Sequence, residues 1–248
     1  MRAKLDGNRL TDQQVLYKGS PNTRRGQHYG GRIEFDKDGY LFFSIGERGA
    51  QNENPQDKNR DGGKIYRLTD DGKVPADNPF VGQNNAIAPM YSLGHRNPQG
   101  MALNPSTGKI WVHEHGPQGG DEVNIIKPGA NYGWPILSYG INYNGSKFAE
   151  GTEREGYESP IHYWVPSIAP SGMTFVTSDK YPDWNGDLLV GSLKFRYLVL
   201  CEVEGDTIKE AKVMFKDIGR VRTVRQGPDG YIYVATEGNG IVRILPEG

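Results

Sequence analysis

Gly227-Pro228-Asp229-Gly230-Tyr231-Ile232-Tyr233-Val234 is the stretch that decides the fold. A polar Pro-Asp-Gly turn runs straight into a short aromatic and β-branched strand, and glycine supplies the positive φ of a tight hairpin. Looser copies lie upstream: Asp36-Lys37-Asp38-Gly39-Tyr40-Leu41-Phe42-Phe43, Asn104-Pro105-Ser106-Thr107-Gly108-Lys109-Ile110-Trp111-Val112, and Tyr181-Pro182-Asp183-Trp184-Asn185-Gly186-Asp187-Leu188-Leu189-Val190. Each copy is followed within a few residues by another glycine: Gly46, Gly116, Gly191 and Gly238. An internal repeat of hairpins separated by irregular loops is the signature of a β-propeller. Four copies fit a complete four-bladed ring or part of a larger one.

Composition agrees. The 248 residues hold 34 Gly, 14 Tyr, 8 Phe and 4 Trp, and glycine stands at about twice its usual 7%. The fold class expected is all-β. No helix of ordinary length, linker or low-complexity run is visible, so residues 1–248 read as a single propeller domain. Two loops, Glu47 to Gly63 and Ala130 to Ile161, are long enough to suggest function.

Charge and hydropathy exclude several classes. Lysine and arginine total 29 against 30 acidic residues, a formal charge of −1, which offers nothing to nucleic acid. No apolar run is long enough for a transmembrane helix. Cys201 is alone and forms no internal disulfide. The start, Met1-Arg2-Ala3-Lys4-Leu5-Asp6, carries no secretory signal pattern.

His28 sits in the glycine-rich Gly26-Gln27-His28-Tyr29-Gly30-Gly31-Arg32, and Glu47 ends the next strand. A carboxylate so placed could hold one imidazole tautomer, as a general base requires; a loop histidine bonded to backbone is the other reading. His113 and His115 alternate on one strand and could ligate zinc, though no third ligand has suitable spacing. Asp57 to Gly62 matches half of an EF-hand loop, but Leu68 occupies the position of the bidentate ligand, so a solvated Asp/Asn turn is expected. In Glu114-His115-Gly116-Pro117-Gln118-Gly119-Gly120-Asp121-Glu122, free carbonyls beside carboxylates suit Ca²⁺. Arg96 with Asn97, Lys194, and Arg220 with Arg222 stand at strand ends, where they could converge on an acidic ligand or serve as ordinary surface cations.

Taken together, the chain resembles the soluble quinoprotein sugar dehydrogenases of the glucose/sorbosone dehydrogenase family, from about residue 5 to 245. The motifs run in order: His28-Tyr29-Gly30-Gly31-Arg32, Gly63 to Leu68, Pro75 to Pro79, Gly94 to Met101, Glu114 to Pro117, Gly120 to Asn124, Asn131 to Pro135, Gly172 to Phe175, and Arg220 to Arg222 before Gly227 to Gly230. The resemblance implies a six-bladed propeller that uses pyrroloquinoline quinone (PQQ) and Ca²⁺ to oxidise aldose sugars to lactones. It assigns His28 as the general base with Glu47 beside it. Arg96, Asn97, Lys194, Arg220 and Arg222 become the residues holding PQQ, with Tyr143 and Arg196 as its neighbours. The carbonyls of Gly116 and Pro117 become Ca²⁺ ligands, with Glu122 and the Tyr132 carbonyl at a further calcium position.

The resemblance also implies a periplasmic or secreted protein and an electron acceptor it does not identify. Members of the family carry additional chain ahead of the stretch matching Met1, including a glutamine that contacts PQQ. The expectation is therefore a propeller lacking its N-terminal blades, from a fragment or a mis-started gene product. A Ca²⁺-dependent sugar lactonase and a non-catalytic sugar- or partner-binding propeller are the competing readings.

Overall fold

The computed structural model describes residues 1–20 and 22–246. A two-stranded hairpin, β1 (Arg2–Asp6) and β2 (Arg9–Gln14), comes first. Three four-stranded sheets follow: β3 (Gly30–Phe35), β4 (Leu41–Ile45), β5 (Lys64–Leu68) and β6 (Met90–Leu93); β7 (Pro98–Leu103), β8 (Ile110–Glu114), β9 (Asp121–Ile125) and β10 (His162–Trp164); and β11 (Pro170–Phe175), β12 (Leu188–Ser192), β13 (Leu198–Glu204) and β14 (Thr207–Met214). A three-stranded sheet, β15 (Arg220–Gln226), β16 (Ile232–Glu237) and β17 (Gly240–Ile244), ends the described chain. Every sheet is an antiparallel meander in chain order. One 3₁₀ turn, Pro182–Trp184, is the only helical element among the described residues. The all-β expectation holds.

The four sequence copies all do the same thing. Each turn glycine (Gly39, Gly108, Gly186 and Gly230) has φ between +71° and +93° and joins the first strand of a sheet to its second. The first strands β3, β7, β11 and β15 then stand side by side in that order, as at the hub of a propeller. The strands do not close a ring by pairing: β17 has no partner beyond β16, and β1 and β2 pair only with each other. Side chains nonetheless join the first and last sheets, through Arg32 Nη2 donating to the Arg222 carbonyl at 3.3 Å and Arg225 facing Glu34 at 3.5 Å.

Inner strands are buried on both faces, which explains their near-continuous apolar runs. In β12, Leu188 and Val190 pack with Trp111, Val123 and Phe175 toward the preceding sheet. Leu189 points the other way, with Val221, Val224 and Val234 of the last sheet, as the two-residue period of a strand dictates. Phe42, Ile65, Met101 and Val112 fill the space between the first two four-stranded sheets.

Gly191 shows how tight this stacking is. A Cβ there would lie 2.4 Å from Val221 Cγ1 and 2.7 Å from Ser171 Oγ. Gly191→Ala is therefore expected to destabilise the fold by about 1–3 kcal/mol, read as a lower denaturation midpoint at unchanged m. A midpoint equal to that of the unsubstituted protein would show that the sheets can part at no cost.

Candidate active site and cation cradle

The loops at one end of the sheets gather most of the residues singled out from sequence. His28 stands just before β3 with φ +52°, an uncommon conformation for a non-glycine residue that often marks a functional position. Its Nδ1 faces Glu47 Oε1 in a close hydrogen-bonding contact. Glu47 is 1% exposed, and its second oxygen, Oε2, has no partner among the described residues. The Glu47 amide donates to the Arg96 carbonyl at 2.8 Å, tying the pair to the neighbouring sheet. Asn97 Oδ1 accepts from the Gly30 amide at 3.1 Å, so Asn97 braces the histidine loop.

Arg96 lies buried between β6 and β7. Its Nη1 donates to the carbonyls of His115 (3.1 Å) and Gly116 (2.9 Å), and its guanidinium sits 5.1 Å from the centre of the Trp134 ring. One of the two carbonyls expected to hold calcium, that of Gly116, is thus engaged by an arginine. The Gly116 amide donates to Asp121 Oδ1 at 2.8 Å, while Asp121 Oδ2 accepts from Ser167 Oγ and the Ala169 amide. Asp121 therefore shapes the whole Gly116–Gly120 turn.

Two cavities divide the remaining residues. The larger, about 890 Å³, is bordered by Pro117, Tyr139, Tyr143, Lys194, Arg196 and Arg220. That volume is within the range of small-molecule sites. Three cations border it, and only Arg220 has a carboxylate partner among the described residues: Glu237, at 3.6 Å. Arg222 pairs with the same Glu237 and lies outside the cavity lining. The chemistry fits a planar ligand carrying several carboxylates.

The second cavity is small and brings Arg96, Glu114, Gly116, Glu122, Tyr132 and Trp134 together. Asn124 Nδ2 donates to Glu122 Oε2 at 3.3 Å, while the buried Asn124 Oδ1 has no partner. Glu122, with the unpartnered Asn124 Oδ1 nearby, offers the hard oxygens that Ca²⁺ takes, whereas both Glu114 oxygens are already engaged, by His95 Nδ1 and the Arg96 amide. The described residues hold no cluster of three or more His, Cys, Asp or Glu arranged for a metal, so any cation here must also use amide or backbone oxygens.

Zinc at His113 and His115 fails on geometry. His113 is fully buried against Gly100 with neither ring nitrogen bonded, whereas His115 Nε2 meets the Pro170 carbonyl at 2.5 Å. The turn from Asp57 to Gly62 is not simply solvated either. Asp61 is buried and accepts from Tyr17 Oη (2.5 Å), Tyr66 Oη (2.8 Å) and the Ser20 amide (2.7 Å). Sequence reading also missed a buried line from Ser92 Oγ to His95 Nε2 (2.8 Å) and from His95 Nδ1 to Glu114 Oε1 (2.8 Å). Ser92 is fully buried, so this line supports structure and offers no nucleophile.

Comparison with known proteins now places the chain. The glucose/sorbosone dehydrogenase family profile matches residues 1–244, and the chain belongs to that family. It is 46% identical over 239 residues to the aldose sugar dehydrogenase YliI of Escherichia coli, a match covering 95% of this chain and 64% of that protein. The chain thus spans less than two thirds of this curated relative. The crystal structure of the soluble aldose sugar dehydrogenase from E. coli, in its apo form, superposes with a TM-score of 0.94 at 42% identity, over 99% of this chain and 72% of that one. The PQQ-bound aldose sugar dehydrogenase from Streptomyces coelicolor superposes at 0.73 with 30% identity, over 98% of this chain and 67% of that one.

Glu122 gives the cradle a measurable signature. Burial, and then the neighbouring Glu114 charge, push its carboxyl up to about 8. In the unfolded chain it ionises near 4.5. Between those values the folded state keeps a proton that the unfolded state has released, so stability falls as pH rises through this window. Glu122→Gln should flatten that fall in metal-free protein, measured by denaturant midpoints at about pH 5 and about pH 8. An unchanged slope would place the Glu122 carboxyl in water.

Proposed function

We propose that this chain is the catalytic propeller of a quinoprotein that oxidises the anomeric carbon of aldose sugars to lactones, the described sheets being blades of a six-bladed ring. The observation that carries the reading is the His28–Glu47 pair, set at a strained backbone position in a chain of this family. PQQ, when bound, supplies an electrophilic quinone carbonyl that accepts hydride, and Ca²⁺ supplies the Lewis acid that polarises it. Lys194, Arg196 and Arg220 would hold the cofactor's carboxylates in the larger cavity, with Arg96, Asn97 and Arg222 as further contacts and Tyr143 at the rim. Pro117, Gly116, Glu122 and Tyr132 would supply oxygens for calcium, the Gly116 carbonyl once Arg96 gives it up.

His28 and Glu47 then handle the proton. Glu47, an acceptor when ionised, fixes the tautomer with hydrogen on Nδ1, which leaves the Nε2 lone pair free. Nε2 takes the anomeric hydroxyl proton as the carbon beneath it loses hydride, and the ring carbon becomes a lactone carbonyl. Burial of Glu47 keeps water from competing for Nδ1 and strengthens the pairing. No helix among the described residues is long and apolar enough to cross a membrane. Export to the periplasm is part of the same proposal, supported by the family alone.

The experiment supplies the protein with PQQ, Ca²⁺, an aldose and an artificial electron acceptor. The unsubstituted chain should reduce the acceptor, and His28→Ala should slow turnover by about 10²–10⁴-fold while PQQ still titrates to saturation. Lys194→Ala should weaken PQQ binding instead. Full turnover by His28→Ala would overturn the assignment of the base, and absence of PQQ binding would overturn the quinoprotein reading.

A further inference from the structure

Lys64, on β5, is fully buried, which is rare for a lysine unless its charge is met. Its Nζ donates to three backbone carbonyls: Asn54 at 2.5 Å, Pro55 at 3.1 Å and Gly62 at 2.9 Å. An ammonium has three hydrogens to give, and here each has an acceptor. Asn54 and Pro55 lie on the outgoing arm of the loop after β4, and Gly62 lies on the returning arm. The ammonium therefore fastens the two arms together. Burial pulls Lys64 down to about 7, with Asp57 and Asp61 pulling the other way and Arg60 adding to the fall. The flanking strands β4 and β6 oppose it with Ile45 and Leu93.

The outgoing arm leads directly to the proposed base. Asn54 Nδ2 donates to the Glu47 carbonyl at 3.1 Å, the Ala50 amide donates to the same carbonyl at 3.1 Å, and the Asn54 amide donates to the Ala50 carbonyl at 2.9 Å. Arg60 Nε donates to Asn54 Oδ1 at 2.8 Å, bracing it from the returning arm. The Glu47 carboxylate itself touches only His28, since Oε2 has no partner. Its position is consequently set through its own backbone, whose carbonyl is held by Asn54 and Ala50 and whose amide is held by the Arg96 carbonyl.

We propose that Lys64 is a positioning residue, an internal amino group that closes the loop from Glu47 to Gly63 and through Asn54 sets Glu47 against His28. The catalytic consequence rests on the reading of His28 as base; the structural one does not. Replacing the ammonium with a methyl thioether of similar length leaves the buried Asn54 and Gly62 carbonyls without donors, the Pro55 carbonyl keeping only the Gly94 amide, and the arms separate. Displacement of a reacting group by about 1 Å can cost on the order of 10²-fold in rate.

The test is Lys64→Met in the full chain, read in two ways. Long-range ¹H–¹⁵N spectra, at a pH where the rings are neutral, report histidine tautomers without any cofactor. In the unsubstituted protein His28 should hold its hydrogen on Nδ1, with the signal assigned from His28→Gln. In Lys64→Met this tautomer should become mixed, whereas the buried His95, held by Ser92 and Glu114, keeps its own pattern and certifies the fold. With PQQ, Ca²⁺ and an aldose, kcat should fall by about 10²-fold and KM for the sugar should hold steady.

A folded Lys64→Met with an unchanged His28 tautomer would overturn the proposal. So would an unsubstituted protein in which His28 shows no fixed tautomer. Should Lys64→Met lose the His95 pattern and fail to fold, Asn54→Ala decides, because it removes the side-chain link to Glu47 and the brace from Arg60 while the three backbone acceptors of Lys64 stay in place. A mixed His28 tautomer in that variant supports the relay, and an unchanged one refutes it. Full activity of His28→Gln would sink the base assignment while leaving the tautomer result to stand or fall by itself.

Discussion

Backbone meets backbone where neighbouring sheets converge, and the rest of the molecule is arranged around that close approach. A Cβ on Gly172 of β11 would stand 2.5 Å from Thr223 Cα and 2.7 Å from the Val224 amide nitrogen of β15. Large side chains are therefore pushed outward along each sheet, where Trp111, Phe175, Leu188 and Leu189 build the inter-sheet cores. Reactive side chains have the complementary fate. His28, Glu47, Arg96 and Lys194 all lie just outside strands, at ends where the chain leaves the crowded packing. A rigid stack with permissive ends is the common design for loop-borne function.

The second constraint is electrostatic. A chain with a net charge of −1 concentrates opposite charges in separate places near one end of the sheets. Lys194 and Arg196 border the larger cavity without carboxylate partners among the described residues, whereas Glu114 and Glu122 crowd the smaller one. Arg96 stands between, its guanidinium in the acidic cavity and bonded to the Gly116 carbonyl. An anion in the first cavity and a cation in the second would relieve both imbalances. The raised Glu122 carboxyl has the same origin, since burial first and the Glu114 charge second disfavour its ionised form.

Much of this was legible from sequence because hairpin chemistry is local. The turn Gly227–Gly230 specifies its strand within eight residues, and all four copies became the first hairpin of a sheet. The His28–Glu47 pair was legible for a similar reason: one residue precedes β3, the other follows β4, and an antiparallel hairpin returns them to the same end. What escaped were partners joined by tertiary packing. Glu237 neutralises Arg220 and Arg222 from the next strand, Asp61 gathers hydroxyls from Tyr17 and Tyr66, and Lys64 finds carbonyls along its own loop. Nothing in Gly63-Lys64-Ile65-Tyr66 distinguishes a caged ammonium from a solvated one, because backbone carbonyls carry no residue signature.

The long loop from Ala130 to Ile161 divides the site into two structural origins. It leaves β9 and runs beside β6, where the Leu93 amide donates to the Ala130 carbonyl and the Tyr132 amide donates to the Leu93 carbonyl. It then places Trp134 beneath Arg96, and Tyr139, Ile141 and Tyr143 around the larger cavity. The proposed base and its carboxylate stand on β3, β4 and the loop that Lys64 closes, and the insertion meets that loop through Gln56, which hydrogen-bonds to Asn131 and the Trp134 carbonyl. On the proposed reading, proton handling belongs to the sheet framework and its loops, whereas the mouth of the cavity is built by an appended segment held in part through backbone hydrogen bonds. Because backbone bonds tolerate changes of side chain, Tyr139, Ile141 and Tyr143 can vary around the cavity, whereas Asn131 is tied through Gln56 to the loop that follows Glu47. On the same reading, selectivity depends on side chains that the insertion presents to the cavity, and the proton chemistry on the loops that hold His28 and Glu47.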